Sequence, residues 1–272
     1  MTSFKDFSSK HVFYKYADKE FLVNIPDDLL NAIDSPAFRY YILQGSWGVG
    51  KSCKLMLLKG LLELYISENK IEDLIVLYIK DANESSTNEL LDQLESYFPG
   101  TNLAPSRLMH KVLSLANYRK IVLVDMWSIK NKGRNAQKEL YRFTRPIDNH
   151  LSYKNKKITQ IVAGSGSWSF NSLNEDYVTR YLYADNMSDS KIWKIVEIKP
   201  LDSETVQAYI KRHLLDESTI DTEYLLKLTG GIFYFVDLYI KLVKSGTDDV
   251  DRVYSCHVSG ITSRKLGRDE TL

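Results

Sequence analysis

Short apolar runs of strand length recur along the chain, and between them the apolar positions fall at helical spacing. The runs are Tyr40–Gln44, Leu74–Ile79, Arg119–Asp125, Ile158–Ala163 and Lys191–Ile198. Leu74-Ile75-Val76-Leu77-Tyr78-Ile79 is apolar throughout, which predicts a parallel strand covered on both faces. Between the first two runs, Lys54–Ile66 reads as a helix with Leu55, Leu58, Leu62 and Tyr65 on one face and Gly60 as a weak point inside it. Further helices are expected at Pro26–Ile33, with Asp27 and Asp28 in its first turn, at Glu89–Phe98, at Pro105–Asn117 and at Arg134–Phe143. Residues 168–190 read as loop, carrying Trp168, Phe170, Tyr177, Tyr181 and Tyr183; packing of the loop is the expected use of these rings.

After Pro200 the texture is helical. Asp202 or Ser203 can cap a helix running to His213, Asp221 or Thr222 one ending at Thr229-Gly230-Gly231, and Phe233–Lys244 forms a third. Ser245–Leu272 has few large apolar residues and no clear period. Alternating strands and helices imply an α/β fold with a parallel sheet and ligand at the carboxyl edge of the strands. The expected divisions are a lead-in over 1–38, the sheet-bearing core over 39–200, a small helical subdomain over 201–245 and a tail or truncated continuation over 246–272.

Composition changes this picture little. The 272 residues are 44% hydrophobic and 26% charged, an ordinary globular balance with room for a sizeable core. Lys plus Arg number 36 against 35 Asp plus Glu, so no overall basic field argues for nucleic acid. The basic group Lys154, Lys156 and Lys157 reads as a solvated turn before a strand. The two cysteines, Cys53 and Cys256, make no metal site by spacing. The polar start Met1-Thr2-Ser3 has no apolar signal region and no run reaches membrane-spanning length, so an intracellular protein is expected, cytoplasm and nucleus not being distinguished.

The chemistry gathers at two places. Gly45-Ser46-Trp47-Gly48-Val49-Gly50-Lys51-Ser52 satisfies G-x-x-x-x-G-K-[ST] between a predicted strand and a predicted helix. Glycines let successive N–H groups of such a loop point inward, and the helix start adds partial positive charge, so a triphosphate fits the concavity. Lys51 is expected on the β- and γ-phosphates, Ser52 in the shell of Mg²⁺, and Cys53 just behind the loop beside the nucleotide. Asp125 closes a buried strand in the manner of a Walker B carboxylate and is expected to serve the same Mg²⁺. Gly164-Ser165-Gly166-Ser167 follows the next strand; Ser165 there is a candidate γ-phosphate sensor, with a plain Gly/Ser turn as the other reading.

These residues resemble the AAA+/STAND-type P-loop ATPases over residues 30–245: Gly45–Ser52, Ile121–Asp125, Ile161–Ser167 and the helical end with Thr229-Gly230-Gly231 carry the likeness. A weaker resemblance is to the NTPase domain of crinkler-type effectors, through the Gly-Ser-x-Gly-x-Gly-Lys-Ser loop and the Thr-Gly-Gly stretch. The resemblance implies an ASCE-type sheet, ATP and Mg²⁺ as ligands, and a nucleotide-dependent switch working through a protein partner, an appended module or self-association. Departures from the family pattern are Met126 and Trp127, where an acid usually follows the Walker B aspartate, and Phe233, where proline is common. Glu84 is a candidate substitute base, so ATP hydrolysis is expected to be slow. Neither Asn131-Lys132-Gly133-Arg134 nor Asn155-Lys156-Lys157-Ile158 completes a guanine motif, which favours ATP. The alternatives are a scaffold that holds nucleotide without hydrolysing it and a P-loop phosphotransferase with Arg134, Arg142 and Arg145 as its arginine cluster.

Overall fold

The computed structural model describes residues 2–35, 40–79, 92–93, 96–97, 119–125, 158–163, 193–214 and 220–269. They form two compact units: residues 1–47 with 51–198, and residues 48–50 with 199–272.

Among the described residues, the first unit is built on a parallel sheet of five strands. Taking the elements in chain order, α1 is Phe4–Ser8, β1 Phe13–Tyr16, β2 Lys19–Leu22, α2 Asp27–Asp34, β3 Tyr40–Gln44, α3 Lys51–Asn69, β4 Leu74–Ile79, β5 Arg119–Asp125, β6 Ile158–Ala163 and β7 Trp193–Glu197. The sheet order is β4-β5-β6-β3-β7, with every pairing parallel. Each predicted run is therefore a strand, and the continuous apolar character of β4 and of Ile121–Val124 in β5 follows from burial at almost every position.

Helix α3 lies against β4, β5 and β6 and buries Leu55, Leu57, Leu58, Leu61, Leu62 and Tyr65. It is longer than the predicted Lys54–Ile66, beginning at Lys51, so its first turn emerges directly from the glycine loop. The lead-in packs on the far half of this helix. Phe4 and Phe7 set their rings 5.4 and 5.2 Å from that of Tyr65, whose hydroxyl donates to the Thr2 carbonyl at 2.7 Å. Asp34 accepts from the first N–H groups of α1, Phe4 at 2.6 Å and Lys5 at 3.0 Å, which suits the positive end of that helix. Ala17 and Asp18, both at positive φ, make the two-residue turn of the β1–β2 hairpin.

Among the described residues β4 ends the sheet on one side, and an edge strand leaves every second amide without a ladder partner. Here side chains supply the partners. Gln93 accepts from the Tyr78 N–H at 2.8 Å and donates to the Tyr78 carbonyl at 2.7 Å, as a neighbouring peptide would. Tyr97, one helical turn later, does the same for Val76 through its hydroxyl, both bonds at 3.2 Å.

The second unit contains α4 Ser203–His213, α5 Thr222–Thr229, α6 Phe233–Lys244 and α7 Val250–Asp269. Asp202 caps α4 by accepting from Thr205 N–H at 2.8 Å, and Asp221 caps α5 by accepting from Glu223 N–H at 2.9 Å. Gly230 ends α5 in the left-handed conformation. Two aspartates tie helices together. Asp237 accepts from the Tyr209 hydroxyl at 2.8 Å, and Asp251 accepts from the Tyr224 and Tyr239 hydroxyls, each at 2.9 Å. The stretch with no clear period is thus helical over most of its length. Buried Tyr254, whose ring meets those of Phe235 and Tyr239, and the Asp251 link hold α7 to its neighbours where its weak apolar pattern gave no sign.

Candidate functional site

Parallel strands bring their carboxyl ends to one edge of the sheet, and both predicted motifs leave from that edge. Strand β3 runs into Gly45, and β5 ends at Asp125. Leu43 is in register with Ala163 of β6, and Ala163 with Asp125. One strand therefore separates the two motifs, and the backbone of Asp125 stands about 10 Å from that of Leu43 at ordinary strand spacing. Asp125 is 5% exposed. A carboxylate at a buried strand end keeps a fixed place, whereas one in a loop would wander.

The loop turns on Gly48 and Gly50, whose φ values of 80° and 101° lie in the region where L side chains are strained. Val49 between them is buried. The Lys51 side chain folds back over the loop, Nζ donating to the Gly45 carbonyl at 2.6 Å and to the Ser46 carbonyl at 3.0 Å. Only 6% of Lys51 is exposed, so its charge is brought to the mouth of the loop with little freedom to lose. Ser52 and Cys53, both half-buried, occupy the first turn of α3, where the helix N–H groups have no intrahelical acceptor. A glycine-bearing turn, a fixed ammonium and a helix start follow one another here, the chemistry that suits an anion.

Within the second unit, residues 48–50 lie against the start of α6. The Tyr234 N–H donates to the Gly48 carbonyl at 2.9 Å. A Cβ on Gly48 would stand 3.0 Å from the Tyr234 Cβ and 3.1 Å from the Ile232 Cγ2, and one on Gly50 would touch the Phe233 ring at 3.8 Å. Just upstream, the Leu201 N–H donates to the Gly231 carbonyl at 2.7 Å, and a Cβ on Gly231 would meet the Leu201 carbonyl oxygen at 2.4 Å.

Of the predicted site residues, Gly45–Cys53 and Asp125 leave the same sheet edge. Glu84, Ser165, the lysine group at 154–157 and the three arginines lie outside the described residues. Sequence reasoning missed Lys54. Its position three and four residues before Leu57 and Leu58 puts it in the buried row of α3, and burial pushes its ammonium down to about 8. That row was visible in the spacing of α3. The α6 contact with Gly48 is made by a main-chain N–H, which carries no residue signature.

No protein-family model matches the chain, and no curated protein sequence matches it significantly. Solved structures do. The Walker-type ATPase paby2304 of Pyrococcus abyssi superposes with a TM-score of 0.56 at 15% identity, over 90% of this chain and 73% of that one. The ORC2 protein of Aeropyrum pernix in its ADP form gives a TM-score of 0.52 at 11% identity, over 84% of this chain and 65% of that one. In its ADPNP–ADP complexes it gives 0.50 at 14% identity, over 83% and 64%. At such identities the likeness is one of fold, and it agrees with a strand order that leaves β6 between the loop strand and the Asp125 strand. The chain has a P-loop NTPase α/β fold, the one it shares with these solved structures.

Proposed function

We propose that the chain binds ATP with Mg²⁺ at Gly45–Ser52 and acts as a nucleotide-dependent switch whose hydrolysis is slow. The observation that carries this is the pairing of a curled glycine loop and its buried lysine with a buried aspartate, two strands away at the same sheet edge. Lys51 would neutralise the β- and γ-phosphates, and the loop N–H groups through Cys53 would hold the rest of the phosphate chain. Ser52 and Asp125 would hold the metal, Asp125 through a bound water. Bound Mg²⁺ would draw charge from the terminal phosphates, and the protein's part is to hold them in place. The likeness to a Walker-type ATPase, and to a protein solved with ADP and with ADPNP, supports nucleotide as the ligand class.

Slow turnover is inferred from Met126 and Trp127, which stand where an acid able to orient water would follow Asp125. Glu84 is the proposed substitute. The same gap favours a second reading, a scaffold that holds nucleotide without cleaving it. Output is proposed to pass through a protein partner or a further copy of the chain; among the described residues no helix is long and apolar enough to cross a membrane. With a formal charge of +1, extended nucleic-acid contact is the weaker reading, and a DNA affinity that falls steeply with salt would revive it.

Isothermal titration with ATP decides the ligand. Binding is expected to strengthen with Mg²⁺, to be lost in Lys51→Ala, and to lose its Mg²⁺ dependence in Asp125→Asn; binding indifferent to Lys51→Ala would refute the site. Phosphate release separates the switch from the scaffold. Slow release abolished by Asp125→Ala is expected for the switch, and none at all for the scaffold.

A further inference from the structure

We infer that the phosphate-binding loop is positioned by the start of α6: the main-chain N–H of Tyr234 sets the Gly48–Val49 peptide and thereby aims the Val49 N–H, which makes Tyr234 a positioning residue for the phosphate site. The inference rests on the nucleotide reading above for its consequence, but not for its geometry. Tyr234 is in the first turn of α6, where N–H groups have no carbonyl within the helix to bond. The residue before the helix, Ile232, offers no side-chain cap; its carbonyl takes the N–H groups of Phe235 and Val236. The Tyr234 donor goes instead to the Gly48 carbonyl at 2.9 Å.

A trans peptide is planar, with its carbonyl and N–H on opposite sides. Fixing the Gly48 carbonyl toward α6 therefore points the Val49 N–H away from α6, and one hydrogen bond sets the direction of one loop donor. Gly48 needs this help more than most residues, because glycine surveys a wide range of backbone conformations and a free loop would sample many of them. Side-chain packing adds to the restraint. Ile232 and Tyr234 fill the space where a side chain on Gly48 would stand, and the Phe233 ring lies where one on Gly50 would reach. The stretch Gly231-Ile232-Phe233-Tyr234, otherwise an ordinary helix start, thus presents a complementary surface to the loop backbone.

Proline isolates the contact. Tyr234→Pro deletes the donor at a first-turn position where no intrahelical bond is lost, and Tyr234→Ala removes the ring but keeps the donor. Phe233→Pro, at the first helical position, controls for proline itself. In titrations with ATP and Mg²⁺, Tyr234→Pro is expected to weaken binding about tenfold, the effect of one hydrogen bond. Tyr234→Ala should bind like the parent, and all three variants should keep its helical circular dichroism. Equal binding by Tyr234→Pro and the parent overturns the inference, as does an equal loss in Tyr234→Ala.

If Tyr234→Pro does not fold, a cycle of Gly48→Ala and Ile232→Ala decides. The loss caused by Gly48→Ala should be partly restored when the Ile232 methyl is removed, and additive effects would overturn the idea. Amide hydrogen exchange without nucleotide separates this inference from the nucleotide reading. The Tyr234 amide, although in the first turn of α6, should be protected in the parent, whether or not the protein binds ATP. Failure of every variant and the parent to bind ATP would sink the nucleotide reading alone, whereas a Tyr234 amide that exchanges freely would sink the positioning role.

Discussion

Lys54 shows how one charge changes the character of a helix face. It stands in the row of α3 that also holds Leu57, Leu58 and Leu61, with no acidic partner among the described residues. Burial lowers its ammonium from the ordinary 10.5 to about 8, with Cys53 acting weakly the other way. The folded chain therefore releases this proton near pH 8, while the unfolded chain holds it to about 10.5. Below pH 8 the half-buried charge costs stability, and the cost is relieved as pH rises through that window. Urea denaturation of the parent should show stability rising from about pH 8 toward pH 10. Lys54→Met should flatten that slope and raise stability at pH 7 by about 1–3 kcal/mol, and an unchanged slope would assign it to another group. Asp125 is the opposite case. Its buried place at a strand end was legible from the apolar run Ile121–Val124 that it closes, and its proposed part in holding Mg²⁺ only from the glycine loop ahead of it. Lys54 was overlooked because one lysine in an apolar row reads as an exception until the burial of its neighbours is known.

Among the elements, α3 carries a clear conflict between propensity and packing. Glycine inside a helix costs about 1 kcal/mol relative to alanine, so propensity alone forecasts a more stable Gly60→Ala variant. Tertiary structure reverses the sign. A Cβ on Gly60 would come within 2.6 Å of the Tyr16 ring and 2.8 Å of the Tyr14 ring, and the Tyr14 hydroxyl already donates to the Gly60 carbonyl at 3.1 Å. Gly60→Ala is expected to destabilise by about 1–3 kcal/mol, read from the urea midpoint. A stabilised variant would mean that the β1–β2 hairpin gives way easily. The starts of helices α4 and α5 were legible to within one residue because their caps are local chemistry, an aspartate accepting from a first-turn N–H, and the end of α5 from a glycine turning left-handed. Helix α7 was not. Its hold on the unit comes from Tyr254 and from Asp251 reaching tyrosines on α5 and α6, which no local pattern announces.

For the whole molecule, the proposed ligand supplies the test of greatest reach. A nucleotide that binds only the folded chain stabilises it by about 2.7 kcal/mol at a hundredfold excess over Kd. ATP with Mg²⁺ should accordingly raise the melting temperature of the parent and leave that of Lys51→Ala where it was. A rise in both would place the nucleotide elsewhere. The sequence by itself determined the strand runs, the helix caps, the glycine loop and the aspartate, since each depends on neighbours within a few residues. Only tertiary structure decided that β6 stands between β3 and β5, that Gln93 and Tyr97 close the edge of β4, and that Gly48 bonds to α6. These depend on pairings between residues far apart in the chain. The last of them uses a main-chain N–H that every residue but proline possesses, so no pattern of side chains could have marked it.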